Sequence, residues 1–126
     1  MILIDTHTLI WFLEGDSQIS PVAISTIENN PGTTFVSIAS LWEIGIKSSL
    51  GKLDINLTFQ GMVQEISKNA IAILPISEAD IAAIITLPFH HRDPFDRIII
   101  AQSQNNNFPI VSKDPHIKRY GGQLIR

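Results

Sequence analysis

The chain contains no cysteine, which excludes disulfides, a thiolate nucleophile and cysteine-ligated zinc at once. Charge is sparse. Asp, Glu, Lys and Arg make up 17% of the residues and the net charge is −3, a poor match for a protein that simply coats nucleic acid. Long apolar runs are missing too: stretches such as Leu9 to Leu13 fall far below the roughly 20 residues that span a bilayer. No basic segment precedes a long apolar stretch at the N-terminus, so no secretory signal is visible and the cytoplasm is the expected compartment, without membrane association. Seven prolines and seven glycines are scattered along the chain as punctuation, with no repeat, linker or low-complexity tract. What is present is a 44% apolar chain of 126 residues, enough for one domain over residues 1–126 with a packed core.

Strand-like and helix-like patterns alternate along it. Met1 to Ile4 reads as a buried strand and Thr6 to Leu13 as a helix stopped near Gly15. Ser20-Pro21 opens a second helix, serine as cap and proline in the first turn. Thr34 to Val36 is a second strand, and Ser37 caps a helix whose apolar face is expected from Ile38, Leu41, Trp42, Ile44 or Gly45, and Ile46. Amphipathic Leu57 to Asn69 follows, then a strand at Ala70 to Leu74 and helices at Glu78 to Leu87 and Phe95 to Gln104. Pro109 to Val111 and Gln123 to Ile125 complete the strands. Such alternation predicts an α/β fold with a parallel sheet covered on both faces.

Four acids stand out against this pattern. Asp5 ends the first strand, Glu43 lies inside the third helix, Asp96 closes Asp93-Pro94-Phe95-Asp96, and Asp114 follows Ile110 to Lys113. In a parallel sheet, strand C-termini and helix N-termini share one edge, where ligands bind. Carboxylates gathered there repel one another unless a hard divalent cation neutralises them. Asp5-Thr6, Asp93-Pro94 and Asp114-Pro115 read equally as helix caps, and Asp96 as a first-turn acid favoured by the helix dipole. No cap explains Glu43, which either faces solvent or leans toward the Asp5 edge. Arg92, Arg97, Lys113, Lys118 and Arg119 fall in the same quarter of the chain as Asp93, Asp96 and Asp114, a basic rim suited to a polyanion or simply a mixed surface. His90 and His91 are discounted as metal ligands, because adjacent loop histidines point apart, and His7 alone is a weak general base. Asp16, Asp54, Asp80, Glu14, Glu28, Glu65 and Glu78 read as solvated faces and turns.

With these residues in view, the chain resembles the PIN domain family, and within it the VapC-type toxins of toxin–antitoxin pairs. The likeness is carried by Ile2 to His7, by Ser37 to Leu50 with Trp42-Glu43-Ile44, by His91 to Gln102 and by Ile110 to Asp114. It implies a three-layer α/β/α fold around a five-stranded parallel sheet, and a Mg2+- or Mn2+-dependent endoribonuclease. The family's acidic quartet falls on Asp5, Glu43, Asp96 and Asp114. Asp5 and Asp96 are then expected as direct ligands and Glu43 and Asp114 as further or water-mediated ones, while Asp93 is either a ligand or the cap that aims Asp96. Thr6 and Ser112 are expected to steady a carboxylate or the scissile phosphate, and Arg92, Arg97 and Lys113 to contact the RNA backbone. The implied partners are an RNA substrate, a cognate antitoxin and a second copy of the chain. The stretches around Trp11-Phe12 and Trp42 to Ile46 supply a physical basis, carrying more large apolar side chains than a small monomer easily buries.

Two other functions compete. A receiver-type phosphoacceptor domain shares the size, the α/β alternation and an acidic Mg2+ site, with Asp54 and Lys113 as its key residues. Against it, the first strand ends in one acid instead of an acidic pair, and Asp54 lies in what reads as an interhelix connection. A non-catalytic binding module is the third reading, separated from the first by whether metal-dependent RNA cleavage occurs at all.

Overall fold

A computed structural model describes residues 1–90 and 92–126. The apolar runs form five short strands, β1 (Ile2–Ile4), β2 (Thr34–Ser37), β3 (Ile71–Leu74), β4 (Ile110–Val111) and β5 (Leu124–Ile125). Between them lie α1 (Thr6–Glu14), α2 (Pro21–Glu28), α3 (Ile38–Ser49), α4 (Phe59–Lys68), α5 (Glu78–Thr86) and α6 (Pro94–Asn106), with a 3-10 turn at Ile117–Tyr120. Boundaries sit where the capping chemistry puts them: Ser20 caps α2 ahead of Pro21, Ser37 caps α3, and Gly15 closes α1 in the left-handed conformation.

All pairings are parallel, in the order β3-β2-β1-β4-β5. β1 is central, with Ile4 in register with Val36 on one side and Val111 on the other. Alternation along the strands divides the core between the two faces of the sheet. Ile2, Ile4, Val36 and Val111 pack with Leu9, Ala23, Ile27, Ile44, Met62 and Ile66 from α1 to α4. Leu3 and Ile110 pack on the other face with Ile98, Ile99, Ile100 and Ile117. Full burial of each large aliphatic side chain contributes roughly 1.5–3 kcal/mol, so these two layers carry the fold. The result is the expected three-layer α/β/α architecture. Among the described residues no helix is long and apolar enough to cross a membrane.

Helix faces resolve what the apolar periods left mixed. α3 turns Ser40 and Glu43 inward beside Leu41 and Ile44 and leaves Ile38, Trp42 and Ile46 exposed, Trp42 by 62%. Asp80, expected on a solvated face, is buried in a capping box with Ser77 and accepts a hydrogen bond from Asn105 at 2.9 Å, which ties α5 to α6.

Candidate active site

Strand order defines where the chain offers a crevice. From β1 the chain builds outward through β2 and β3, then returns to place β4 and β5 on the opposite side. That reversal puts the switch point between β1 and β4, outside their carboxyl ends. Asp5 ends one strand and Ser112 follows the other.

Asp5 is both the end of β1 and the N-cap of α1, with no loop between. Its Oδ1 accepts from the Thr8 amide at 2.9 Å, and its Oδ2 accepts from the Ser112 hydroxyl. Ser112 Oγ in turn accepts from the Asp114 amide at 3.0 Å, so one buried hydroxyl links the acids at the ends of β1 and β4. Asp114 Oδ1 accepts from the His116 amide at 2.9 Å, turning the chain into the 3-10 segment.

Glu43 reaches the same edge from α3. It is only 4% exposed, and burial of a carboxylate demands partners. The Thr6 hydroxyl lies 2.8 Å from Glu43 Oε1 and 2.9 Å from Ser40 Oγ. With a single proton, Thr6 donates to the carboxylate and accepts from Ser40. Lys47, one turn further along α3, donates from Nζ to Oε2 at 2.8 Å. Glu43 therefore leans inward, toward the residue after Asp5.

Asp93 caps α6, its Oδ1 accepting from the amides of Phe95 at 2.8 Å and Asp96 at 3.2 Å. Pro94 is the first helical residue and Asp96 lies in the first turn. A helix that leads directly into a parallel strand starts at the strands' C-terminal edge, so Asp93 and Asp96 share the edge of Asp5 and Asp114. Phe95 also packs edge-on against Trp42, ring centroids 5.1 Å apart. That contact sets the start of α6 beside α3, one residue from Glu43.

The donors are carboxylate and hydroxyl oxygens with no sulfur, the chemistry of a hard cation such as Mg2+ or Mn2+. Among the described residues, no group of three or more His, Asp or Glu side chains is drawn together as a ready ligand set. Asp5 and Glu43 are instead satisfied by hydroxyl, amide and ammonium donors of the chain itself.

The basic residues divide differently from the expected rim. Arg97 is buried, its guanidinium donating to the carbonyls of Pro88, Ile84 and Leu87 and lying 4.1 Å from the Phe89 ring centroid. It closes the C-terminal end of α5 and is not presented to a polyanion. Lys113 is exposed but turned toward the α1–α2 connection, with Nζ on the Gln18 carbonyl and 5.8 Å from the Trp11 ring centroid. Arg92, Lys118 and Arg119 remain exposed. His90 lies against Tyr120, ring centroids 5.1 Å apart, while His91 lies outside the described residues. Ser40 and Lys47 escaped the sequence reading, although their positions three before and four after Glu43 place them on one helical stripe with it. Asp54 is exposed in the connection between α3 and α4, and the strand order differs from the 2-1-3-4-5 order of the receiver type. Both observations count against a phosphoacceptor.

Several solved assemblies contain a chain of this fold. A FitAcB structure from Neisseria gonorrhoeae superposes with a TM-score of 0.70 at 16% identity, covering 100% of this chain and 97% of that one. A VapBC2 structure from Rickettsia felis, bound to a DNA fragment from its promoter, gives 0.71 at 14% identity, with 100% and 98% coverage. A toxin–antitoxin complex from Klebsiella pneumoniae gives 0.60 at 16% identity over 90% and 87%. No curated protein matches the sequence. The PIN domain matches it over residues 2–123, almost the whole of the strand order and acidic edge described above, and the chain belongs to the PIN domain family.

Proposed function

We propose that the protein is a metal-dependent endoribonuclease and the toxin of a toxin–antitoxin pair. The observation that carries this reading is the edge itself: a PIN-family chain whose Asp5 and Asp114 are joined through Ser112 at the β1–β4 crevice, with Glu43 turned inward beside Thr6. Asp5, Glu43, Asp96 and Asp114 would hold a Mg2+ or Mn2+ ion, with Asp93 aiming Asp96 or joining them. Such an ion, when bound, supplies a water of lowered pKa and neutralises charge on the phosphate.

The remaining work falls to the chain. Ser112 and Thr6 are buried and committed to carboxylates, so they orient the acids and do not touch RNA. Arg92 is exposed, directly precedes Asp93 and suits a backbone phosphate; Lys113 would serve only after leaving Gln18. Residues 1–126 act as one domain.

An antitoxin is the partner this reading requires, and the three assemblies above are described as complexes of that kind or named like them. Ile38, Trp42, Ile46, Phe59 and Val63 line an open apolar groove of about 560 Å3 between α3 and α4. An antitoxin segment seated there ends at the acidic edge, where a cationic side chain of its own can meet the carboxylates. A second copy of the chain would find exposed apolar side chains on α5, where Ile81 and Ile85 lie four residues apart on one face, Ile85 exposed by 81%.

Purified protein free of antitoxin should cut single-stranded or looped RNA with Mg2+ or Mn2+ and stop on addition of EDTA. Asp5→Asn and Asp96→Asn should each abolish cleavage while leaving the melting temperature similar, since each change is isosteric and asparagine caps a helix about as well as aspartate. Cleavage that survives chelation refutes the metal reading. Unfolding of both variants would assign these acids to structure alone.

A further inference from the structure

Glu43 is a buried acid whose two oxygens are both occupied, by donors of different character. Oε1 takes the hydroxyl of Thr6, itself buried and held by Ser40. Oε2 takes the ammonium of Lys47, whose side chain is 40% exposed against 6% for that of Glu43. One partner is locked into the interior and the other has a path to water. We propose that Lys47 is a built-in counter-cation: it neutralises Glu43 in the metal-free chain, must leave Oε2 before that oxygen can ligate a divalent ion, and so sets the metal affinity of the edge from outside the ligand set. This rests on the proposed function, in which Glu43 is a ligand.

The surroundings support such an exchange. An ion pair spaced four residues apart on a helix is ordinarily two solvated side chains with a small effect. Here the acid is inside, where removal of its counter-charge leaves a buried carboxylate uncompensated. Lys47 also lines a cavity of about 410 Å3 beside Thr6 and His7, with Glu14, Asp16 and Asp54 on its walls. A displaced ammonium therefore stays near negative charge, which offsets part of the lost contact with Glu43. A divalent ion at Oε2 and an ammonium on the same oxygen repel, so by thermodynamic linkage each weakens binding of the other. Lys47 is in this sense a positioning residue: it keeps Glu43 aimed at the edge while no metal is bound.

The test compares metal-stripped wild type with Lys47→Met, Lys47→Gln, Lys47→Arg, Glu43→Gln and Glu43→Gln/Lys47→Met, reading the metal-free melting midpoint and the Mn2+ dissociation constant by calorimetry. Lys47→Met should lower the metal-free midpoint yet tighten Mn2+ binding about fivefold, the scale of one partly screened charge at contact distance. Arg should behave like wild type. In the Glu43→Gln background, loss of Lys47 should alter neither quantity. Should Lys47→Met not fold, Lys47→Gln gives the same tightening without an apolar group on the acid. Unchanged or weaker Mn2+ binding in both charge-removing variants overturns the inference, as does a gain that persists with Glu43→Gln. Wild-type protein that binds no Mn2+ at all instead overturns the metal reading, and this inference with it.

Discussion

Arg97 separates a structural from a substrate-binding role more sharply than any other cation in the chain. Its guanidinium donates to the carbonyls of Pro88 at 2.9 Å, Leu87 at 3.1 Å and Ile84 at 3.2 Å. Replacement by methionine keeps much of the apolar stem and deletes these bonds. The Ile84 oxygen retains the Leu87 amide at 3.2 Å, and Pro88 is exposed, so water can replace that contact. The loss then concentrates on the Leu87 carbonyl, where removing a charged donor costs about 1.5–3 kcal/mol, with something added for packing against Phe89. A total of about 2–4 kcal/mol, set against an unfolding entropy of roughly 2.1 cal/mol/K per residue, lowers the melting temperature by about 8–15 °C. Arg97→Lys should recover little of this, because one ammonium cannot span three carbonyls. Cleavage per folded molecule, measured well below the lowered melting point, should stay within about twofold of wild type. The reasoning is refuted if Arg97→Met melts like wild type while RNA binding is lost.

Asp93→Ala should cost about 0.5–2 kcal/mol by losing the α6 cap, whereas Asp93→Ser should retain stability and activity; a stable but inactive Asp93→Ser brings Asp93 into the ligand set. Ser112→Ala strips a donor from Asp5 and an acceptor from the Asp114 amide, and should slow Mn2+-dependent cleavage about 10- to 100-fold, as loss of an orienting partner does; an unchanged rate would remove Ser112 from the site. Ala70 adopts a φ of +55°, a conformation that costs a side-chain-bearing residue roughly 1–2 kcal/mol. Ala70→Gly should therefore leave stability unchanged or raise it by up to about 1 kcal/mol in urea unfolding, and a clear loss would show that the left-handed geometry is not retained.

The local rules carried the sequence reading as far as local rules reach. Caps at Ser20, Ser37 and Gly15 and the alternation of apolar periods located eleven strands and helices, because each signal and its consequence lie within a turn of one another. Strand order is different: nothing near β4 states that it lies beside β1 and not beside β3. Glu43 shows the same limit. Its partner Thr6 is 37 positions away, so helical periodicity alone left both solvent and the Asp5 edge open. Periodicity also grouped exposed Trp42 with buried Leu41 and Ile44, since an apolar stripe looks alike whether it faces a core or a partner, and α3 buries the polar side bearing Ser40 and Glu43.

Charged residues were misjudged for a related physical reason. Proximity in sequence placed Arg97 in a basic rim and Asp80 on a solvated face, yet both are buried by hydrogen bonds formed across helices. Counting charges along a chain ignores the direction of each side chain, and in a helix two residues are enough to reverse it. The acids suffered less, because for them direction follows from the junction. Where a strand passes into a helix without a loop, the residue at the joint is at once the last at the sheet edge and the first to meet free amides. Asp5 shows that the two roles need not compete: Oδ1 closes the helix while Oδ2 turns to Ser112 on the neighbouring strand. Capping and facing the crevice thus fall to two oxygens of one carboxylate, and the cap fixes the angle at which the other oxygen is held toward Ser112.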